Sequence, residues 1–527
     1  MKKCYIDKIC NIIGIICLIL GAGVLFRTAC LVASTDIWFD ELFTVELASK
    51  KTPELIALAS LDVHPPLYYL IVRWVYLVLL SIVQGIRIEV VAKITSIIPF
   101  FLIMTYDVTY VRKHFGWLSA GLLMLFVELM PELPGFMVEA RMYSWAMFAV
   151  LAMYIHGMEF IDSQTNKRGY IHLVIACLYG IGAMYLHYFA FIGAAAVAFI
   201  LMVYACICKK EARISILVCM LVCIVAYIPW IKVVISQVGA VAASYWIPPV
   251  SVRTLAGCVK YIFKPAFERE FFNYACVVVL LVGYVWLFVS YIKRHGRDWK
   301  SLYVIGTVST LSLLVVVGLL ASLIIRPIFV YRYMTPAMSV FWMGYAILIG
   351  DLVDSEVVGD RRYLGLLNKI GILIVSFVML TVAVRDFNLF RWEEQKKTEQ
   401  MKHTQAAFER ISTDYSGEIL VCNFNQVQAV LWHYLNNESI LWGETEETLI
   451  AEICNRYPIN MTDDIDKLVS MVDKDLDGEY SFIFIGSGNA REEIIDIWED
   501  NGMNVQLLED SCLLERYYFN IYRVASE

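Results

Sequence analysis

The first hydrophobic run of the chain is followed at once by STDIWFDELFTVEL, residues 34–47, which carries adjacent carboxylates at Asp40 and Glu41. Charges also stand at the edges of later apolar runs. His64 precedes Pro65 and Pro66, Glu139 and Arg141 lie in FMVEARMY, and Arg326 and Arg332 lie in IIRPIFVYRYMTP. Ionisable groups at membrane depth are costly unless they are paired or used. Carboxylates and cations gathered on one face can do acid–base chemistry on an anionic substrate, the carboxylate as base and the cations holding a departing anion. Each residue also has a plainer role. Asp40 suits the N-cap of ELFTVELASK, His64 an ordinary turn before two prolines, and Arg332 a lipid-headgroup anchor. Glu139 and Arg141 are two apart and diverge on a helix, so they serve different partners. Glu128 and Glu132, four apart in a span, have no evident role.

The elements that must position these groups are membrane helices. The chain is 59% hydrophobic and only 18% charged, with a mean hydropathy of +0.64, beyond the range of soluble domains. Apolar runs near 9–33, 88–110, 117–136, 142–161, 170–187, 188–206, 213–235, 272–292, 301–325, 330–350 and 370–386 approach the roughly 20 residues that cross a bilayer. The first has no small-residue cleavage site and reads as a retained helix rather than a signal peptide. A twelfth run, 65–86, decides the topology. It holds Arg73 near its middle among Tyr68, Tyr69, Trp74 and Tyr76, a composition that favours the headgroup level. If it does not cross, the basic clusters at Lys2/Lys3/Lys8, Arg112/Lys113, Lys167/Arg168, Lys209/Lys210/Arg213, Lys293/Arg294/Arg297/Lys300 and Arg361/Arg362/Lys369 all fall on the cytoplasmic side. The expectation is therefore an all-α polytopic domain of eleven spans over residues 1–389, in the cell membrane. Its N-terminus is inside, and its outer loops are 34–87 and 236–271.

Residues 391–527 hold 11 Lys and Arg against 27 Asp and Glu, a net of −16, whereas the remainder is basic at +9. This division marks a separate acidic, water-soluble body, 390–527, placed outside by the parity of the spans. It alternates β-rich runs such as GEILVCNF and YSFIFIGSG with amphipathic ones such as REEIIDIWEDNG, the pattern of a small α/β domain of accessory role. The GSGNA turn lacks the third glycine of a dinucleotide fingerprint and reads as a plain strand–helix turn. Most of the fourteen cysteines, including Cys17, Cys177, Cys219, Cys223 and Cys276, lie in apolar runs and read as small hydrophobes. Cys422, Cys454 and Cys512 in the tail show no zinc-ligand spacing. Nucleic-acid binding has no support.

WFDELFTVELA, HPPLYYLIVRWV, VEARMYSWAMF, YLHYF, SYWIPP and YRYMTPA occur in this order over residues 10–385. In that order and spacing the chain resembles the GT-C superfamily of integral-membrane glycosyltransferases. The branch resembled is that of protein O-mannosyltransferases, lipid A aminoarabinose transferases and related bacterial proteins. The resemblance implies transfer of a sugar, with inversion, from a polyprenyl-phosphate donor to a lipid, glycan or protein acceptor at the outer membrane face, among membrane lipids. It implies Asp40 as the base with Glu41 in support. Arg332, Arg141 and His64 would hold the donor phosphate, although some relatives carry Lys where this chain has His64. Glu139, Tyr69, His187, Tyr245 and Trp246 would contact substrate. No cofactor is expected. A divalent metal, which outer acids bind in other GT-C branches, is not predicted from Asp40 and Glu139 alone. The alternative is a transporter of lipid-linked saccharides or a non-catalytic scaffold, disfavoured by the lack of internal repeats and by charges gathered at one face.

Overall fold

Each apolar run is a helix in the computed structural model. It describes residues 2–33, 37–163, 166–243, 247–296, 298–356, 362–424, 428–429, 433–435, 439–443, 453, 460–472, 479–488, 490–514 and 517–526. Helix α1 (Lys2–Ala29) is followed by two short helices, α2 (Phe39–Ser49) and α3 (Thr52–Ala59), and then by α4 (Leu67–Ile82). Next come α5 (Ile88–Tyr106), α6 (Arg112–Leu129), α7 (Tyr143–Asp162), α8 (Lys167–Leu186), α9 (Tyr188–Cys208) and α10 (Arg213–Ala243). The series continues with α11 (Val252–Phe263), α12 (Glu270–His295), α13 (Trp299–Ile324), α14 (Thr335–Glu356) and α15 (Arg362–Asp414).

Ten helical stretches among the described residues are long and apolar enough to cross a bilayer, and the stretch Ile88–Leu129 comprises two helices. A short π-helical turn, Asp107–Val111, joins α5 to α6, and the chain kinks at Gly116, whose φ of 82° is a left-handed conformation that glycine adopts freely. All eleven runs read from the sequence thus have a helix. α4 has only 16 residues, which at 1.5 Å per residue reaches about 24 Å, short of a hydrocarbon core of about 30 Å. The run read as 117–136 stops earlier, at Leu129. Met130 precedes Pro131 and is extended (φ −75°, ψ 159°), as a residue before proline must be. α1 packs closely along α6: a Cβ on Gly14 would collide with the Trp117 carbonyl oxygen, so the backbones touch where both helices carry small residues.

Chain contacts divide the molecule into two units. The first is Met1–Val32 with Ala59–Trp392, and the second is Ala33–Leu58 with Glu393–Glu527. The segment 34–87 is therefore divided between them. α15 runs through residue 389 as one helix of 53 residues. Its RWEEQKKTEQ portion is polar but rich in good helix formers, so the helix outlasts the apolar run.

The second unit contains a six-stranded sheet of order β3-β2-β1-β4-β6-β5. Its strands are β1 (Leu420–Cys422), β2 (Ser439–Trp442), β3 (Asn460–Thr462), β4 (Ser481–Gly486), β5 (Met503–Leu514) and β6 (Tyr517–Ser526). The first four are parallel, and β5 and β6 add an antiparallel edge. Helices α16 (Ile465–Met471) and α17 (Ala490–Asp500) belong to the same unit. Trp498 of α17 is fully buried and packs edge-on against Trp442, Phe482 and Phe484, which anchors the helix to the sheet. Asn423 after β1 and Ser487 after β4 exchange two hydrogen bonds (2.9 and 3.0 Å), tying together the loops at the strand ends where such folds often take a ligand. The GSGNA turn is part of that tie.

Candidate active site

His187 shows how the sequence builds the site. It is the single extended residue (φ −161°, ψ 141°) between α8 and α9, and it caps both helices. Its backbone N–H closes α8 on the Ala183 carbonyl (3.3 Å), and its Nδ1 accepts from the Phe189 N–H (3.1 Å), as an N-cap oxygen would. The ring is 2% exposed. Burial first, then the charges of His64, Arg141 and Arg332, hold its pKa well below the usual histidine value. Burial and these cations disfavour the charged ring. With Nδ1 accepting, the proton sits on Nε2, which can donate to an anion.

Around this imidazole stand residues from three further chain regions. The His64 ring centroid is 5.5 Å away, that of Tyr143 5.4 Å and that of Tyr333 5.0 Å. Arg332 lies over the Tyr143 ring, 5.7 Å from its centroid, while the adjacent Tyr333 turns toward His187 and Phe189. That divergence follows from the tight 3₁₀ turn Tyr331–Met334. Arg141, only 5% exposed, sits in the irregular link before α7. Arg141 and Glu139 are thus in a turn and not on a helix, yet they do face different neighbours. Arg141 acts electrostatically on Asp62 and His187, whereas Glu139 acts on Tyr261 of α11, together with Glu132. Glu132 stands at the turn after α6 with a φ of +66°, and Glu128 is buried in α6, its carboxylate near Gly21 of α1.

Asp62 organises the loop between α3 and α4. Its carboxylate accepts from the Tyr69 hydroxyl (3.0 Å) and faces His64 Nδ1 (3.4 Å). Burial pushes the Asp62 carboxyl up, but the hydrogen bond and charge of His64 and the charge of Arg141 outweigh it and hold the group below the ordinary carboxylate range. Gln237 of α10 fixes the backbone of this loop by donating to the carbonyls of Ala59 (3.3 Å), Ser60 (3.1 Å) and Asp62. Its Oε1 accepts from Tyr188, whose hydroxyl accepts from Trp230 (3.3 Å). His64 is held in turn by Pro65 and Pro66, which confine the preceding residue to extended backbone. A cavity of about 110 Å³ opens beside these groups, lined by His64, His187, Tyr188, Gln237, Ile328 and Tyr333 among others. His64, His187, Gln237 and Tyr188 give this cavity its polar groups beside an apolar wall, and Arg141 and Arg332, which do not line it, act electrostatically on His187.

Of the residues singled out in the sequence, the first unit brings together His64, Tyr69, Arg141, His187 and Arg332. Glu139 lies apart, beside Tyr261, whose hydroxyl meets Thr335 Oγ1 at 3.2 Å. Tyr245 and Trp246 lie outside the described residues. Asp40 and Glu41 belong to the second unit, in α2. The cap considered for Asp40 is made by Glu41, whose carboxylate accepts from the backbone N–H of Trp38 (3.0 Å) at the helix start. Asp40 is half-buried in the first turn of the same helix. One turn further on, Glu46 pairs with His433 of the C-terminal domain (2.6 Å), so α2 is held by the unit that carries the sheet. Asp62, Tyr143, Tyr188, Gln237 and Tyr333 were not foreseen. Asp62 had a signal, standing two residues before His64 in LDVHPP.

No protein-family model matches the chain, and no curated protein matches it by sequence. Among solved structures it is similar to ArnT from Cupriavidus metallidurans in the apo state, with a TM-score of 0.58 at 11% identity, over 96% of this chain and 97% of that one. It is likewise similar to the same protein bound to undecaprenyl phosphate, with a TM-score of 0.56 at 11% identity over 97% of each chain. The likeness shows the fold: a polytopic helical membrane domain followed by a C-terminal domain, as expected from the sequence.

Proposed function

We propose that the chain is a membrane glycosyltransferase that moves a sugar from a polyprenyl-phosphate donor to a lipid, glycan or protein acceptor at the outer face of the cell membrane, with inversion. The observation that carries this reading is the gathering of His64, Arg141 and Arg332 about His187, with a cavity lined by both histidines, in a fold shared with a protein crystallised with undecaprenyl phosphate. A phosphate on a prenyl tail matches both halves of such a site, anionic head against the cations and apolar tail among the helices.

The chemistry divides accordingly. The acceptor oxygen or nitrogen attacks the anomeric carbon, and the bond from that carbon to the phosphate oxygen breaks. The electron pair leaves on the phosphate, where Arg332 and Arg141 hold the growing charge and His187 Nε2–H donates to it. Phosphate is a competent leaving group, so no acid is needed. The acceptor's proton goes to a base, and Asp40 takes that role. Glu41, which caps α2, serves by holding Asp40's helix in place. The C-terminal domain is an extracytoplasmic accessory that carries α2. Mass spectrometry of envelope glycolipids and glycoproteins from cells with and without the gene tests the reading. It expects one sugar-bearing species lost on deletion and restored by the parent gene but not by Asp40→Asn. An unchanged glycan profile under conditions of expression contradicts it.

A further inference from the structure

We propose that Cys177, Cys219 and Cys223 form a binding site for a thiophilic monovalent d¹⁰ cation, Cu(I), independent of the glycosyl-transfer site. In the sequence these residues look like packing residues within apolar runs. In the structure Cys219 and Cys223 are four apart on α10 and share one face, against Cys177 of α8. All three Sγ atoms lie within 4.8 Å of one another, and Cys177 Sγ is 3.7 Å from Cys223 Sγ. The thiols of Cys177 and Cys223 donate to the Cys219 and Cys177 carbonyls (3.7 and 3.8 Å), so the helices hold the sulfurs in register.

With a metal–sulfur bond of about 2.3 Å, three sulfurs in a trigonal plane stand about 4.0 Å apart and those of a tetrahedron about 3.8 Å. The 3.7 Å between Cys177 and Cys223 is the separation of two ligands on one ion, and the third sulfur lies within 4.8 Å of both. The donor set is all sulfur. The Met153 thioether flanks it, since a Cβ on Gly180 would lie 3.3 Å from Met153 Sδ and 3.6 Å from Cys223 Sγ. Soft sulfur ligands select Cu(I), which is satisfied by three of them, whereas Zn²⁺ calls for a fourth ligand. Charge points the same way. Cu(I) bound to one thiolate and two neutral sulfurs is a neutral complex, the form an apolar setting penalises least, and its formation releases one thiol proton to water. A separate cavity of about 220 Å³ touches Cys219 and Cys223 and gives the ion a route in.

The test uses the full-length protein in detergent, reduced anaerobically, loaded with Cu(I) as its acetonitrile complex and washed with bathocuproine disulfonate. The proposal expects one chelator-resistant copper in the parent and in Cys206→Ser, an exposed control. Cys177→Ser and Cys223→Ala should hold none, while both elute as the parent does in size exclusion. Copper-edge absorption should show a sulfur-only shell near about 2.3 Å. Equal copper in the parent and the Cys177 variant overturns the site. So does retention of Zn²⁺ where Cu(I) is lost, or a Cys177–Cys223 disulfide in protein isolated without reductant.

Discussion

Replacing Asp62 by Asn keeps the side chain's size and an oxygen for the Tyr69 hydroxyl, but removes the charge that faces His64 at 3.4 Å and offsets Arg141. A buried hydrogen bond to a charged group is worth about 1.5–3 kcal/mol. If that much of the site's alignment is lost, turnover falls roughly 10- to 150-fold, at about 1.4 kcal/mol per factor of ten. Asp62 acts through His64 and the loop, so it is a positioning residue, and the KM for the lipid donor should rise along with the fall in kcat. Stability supplies a second readout. The folded-state pKa of Asp62 lies below its unfolded value. Its stabilisation is therefore complete above about pH 4 and is lost as the pH falls further. Thermal unfolding in detergent between pH 5 and pH 3 should show a steeper loss for the parent than for Asp62→Asn. Tyr69→Phe should give a smaller defect of the same kind. An Asn variant with parental kinetics and an unchanged acid limb would refute the reasoning, and Asp62 would then be only a loop residue.

Four further outcomes follow from the same account. Asp40→Asn should fold normally, because Glu41 makes the α2 cap, and should lose about 10²- to 10⁴-fold in turnover as a missing general base does. Glu41→Ala should instead lower stability by roughly 0.3–1.5 kcal/mol with a smaller kinetic effect, measured as a melting shift. Arg332→Lys should reduce turnover substantially and Arg332→Ala more so at equal membrane insertion, since Lys keeps the charge but not the forked grip on phosphate; parental activity of the Lys variant would leave Arg141 as the clamp. Protease added to intact cells should remove the C-terminal domain, and protection of that domain while an outer-surface control is cut would change the count of crossings by one.

The membrane helices were legible because apolar runs of about 20 residues have few other uses, and the break at His187 because YLHYF joins two such runs. What hydropathy could not carry was the polar continuation of α15 past residue 389, where helix propensity and not apolarity holds the chain. The β5–β6 hairpin was also missed. Its register shifts at Leu507/Glu509 and Glu509/Cys512 break the alternation of period two by which a strand is read. In the site, the charged candidates at span edges were visible one by one. Their convergence on His187 was not, because it depends on loop geometry set by Gln237, a residue 175 positions from Asp62. The same holds for Glu41, whose helix-capping role depends on where α2 starts, at Phe39 and not at Glu41.

The central claim is that this chain breaks a sugar–phosphate bond. The most direct measurement reconstitutes the purified protein in liposomes with a polyprenyl phosphate bearing a radiolabelled sugar, together with an extract of envelope acceptors. The account predicts label on an acceptor and an equal amount of free polyprenyl phosphate, with both absent for Asp40→Asn. Label that crosses the bilayer still attached to its lipid, with no polyprenyl phosphate released, would contradict it and make the protein a transporter.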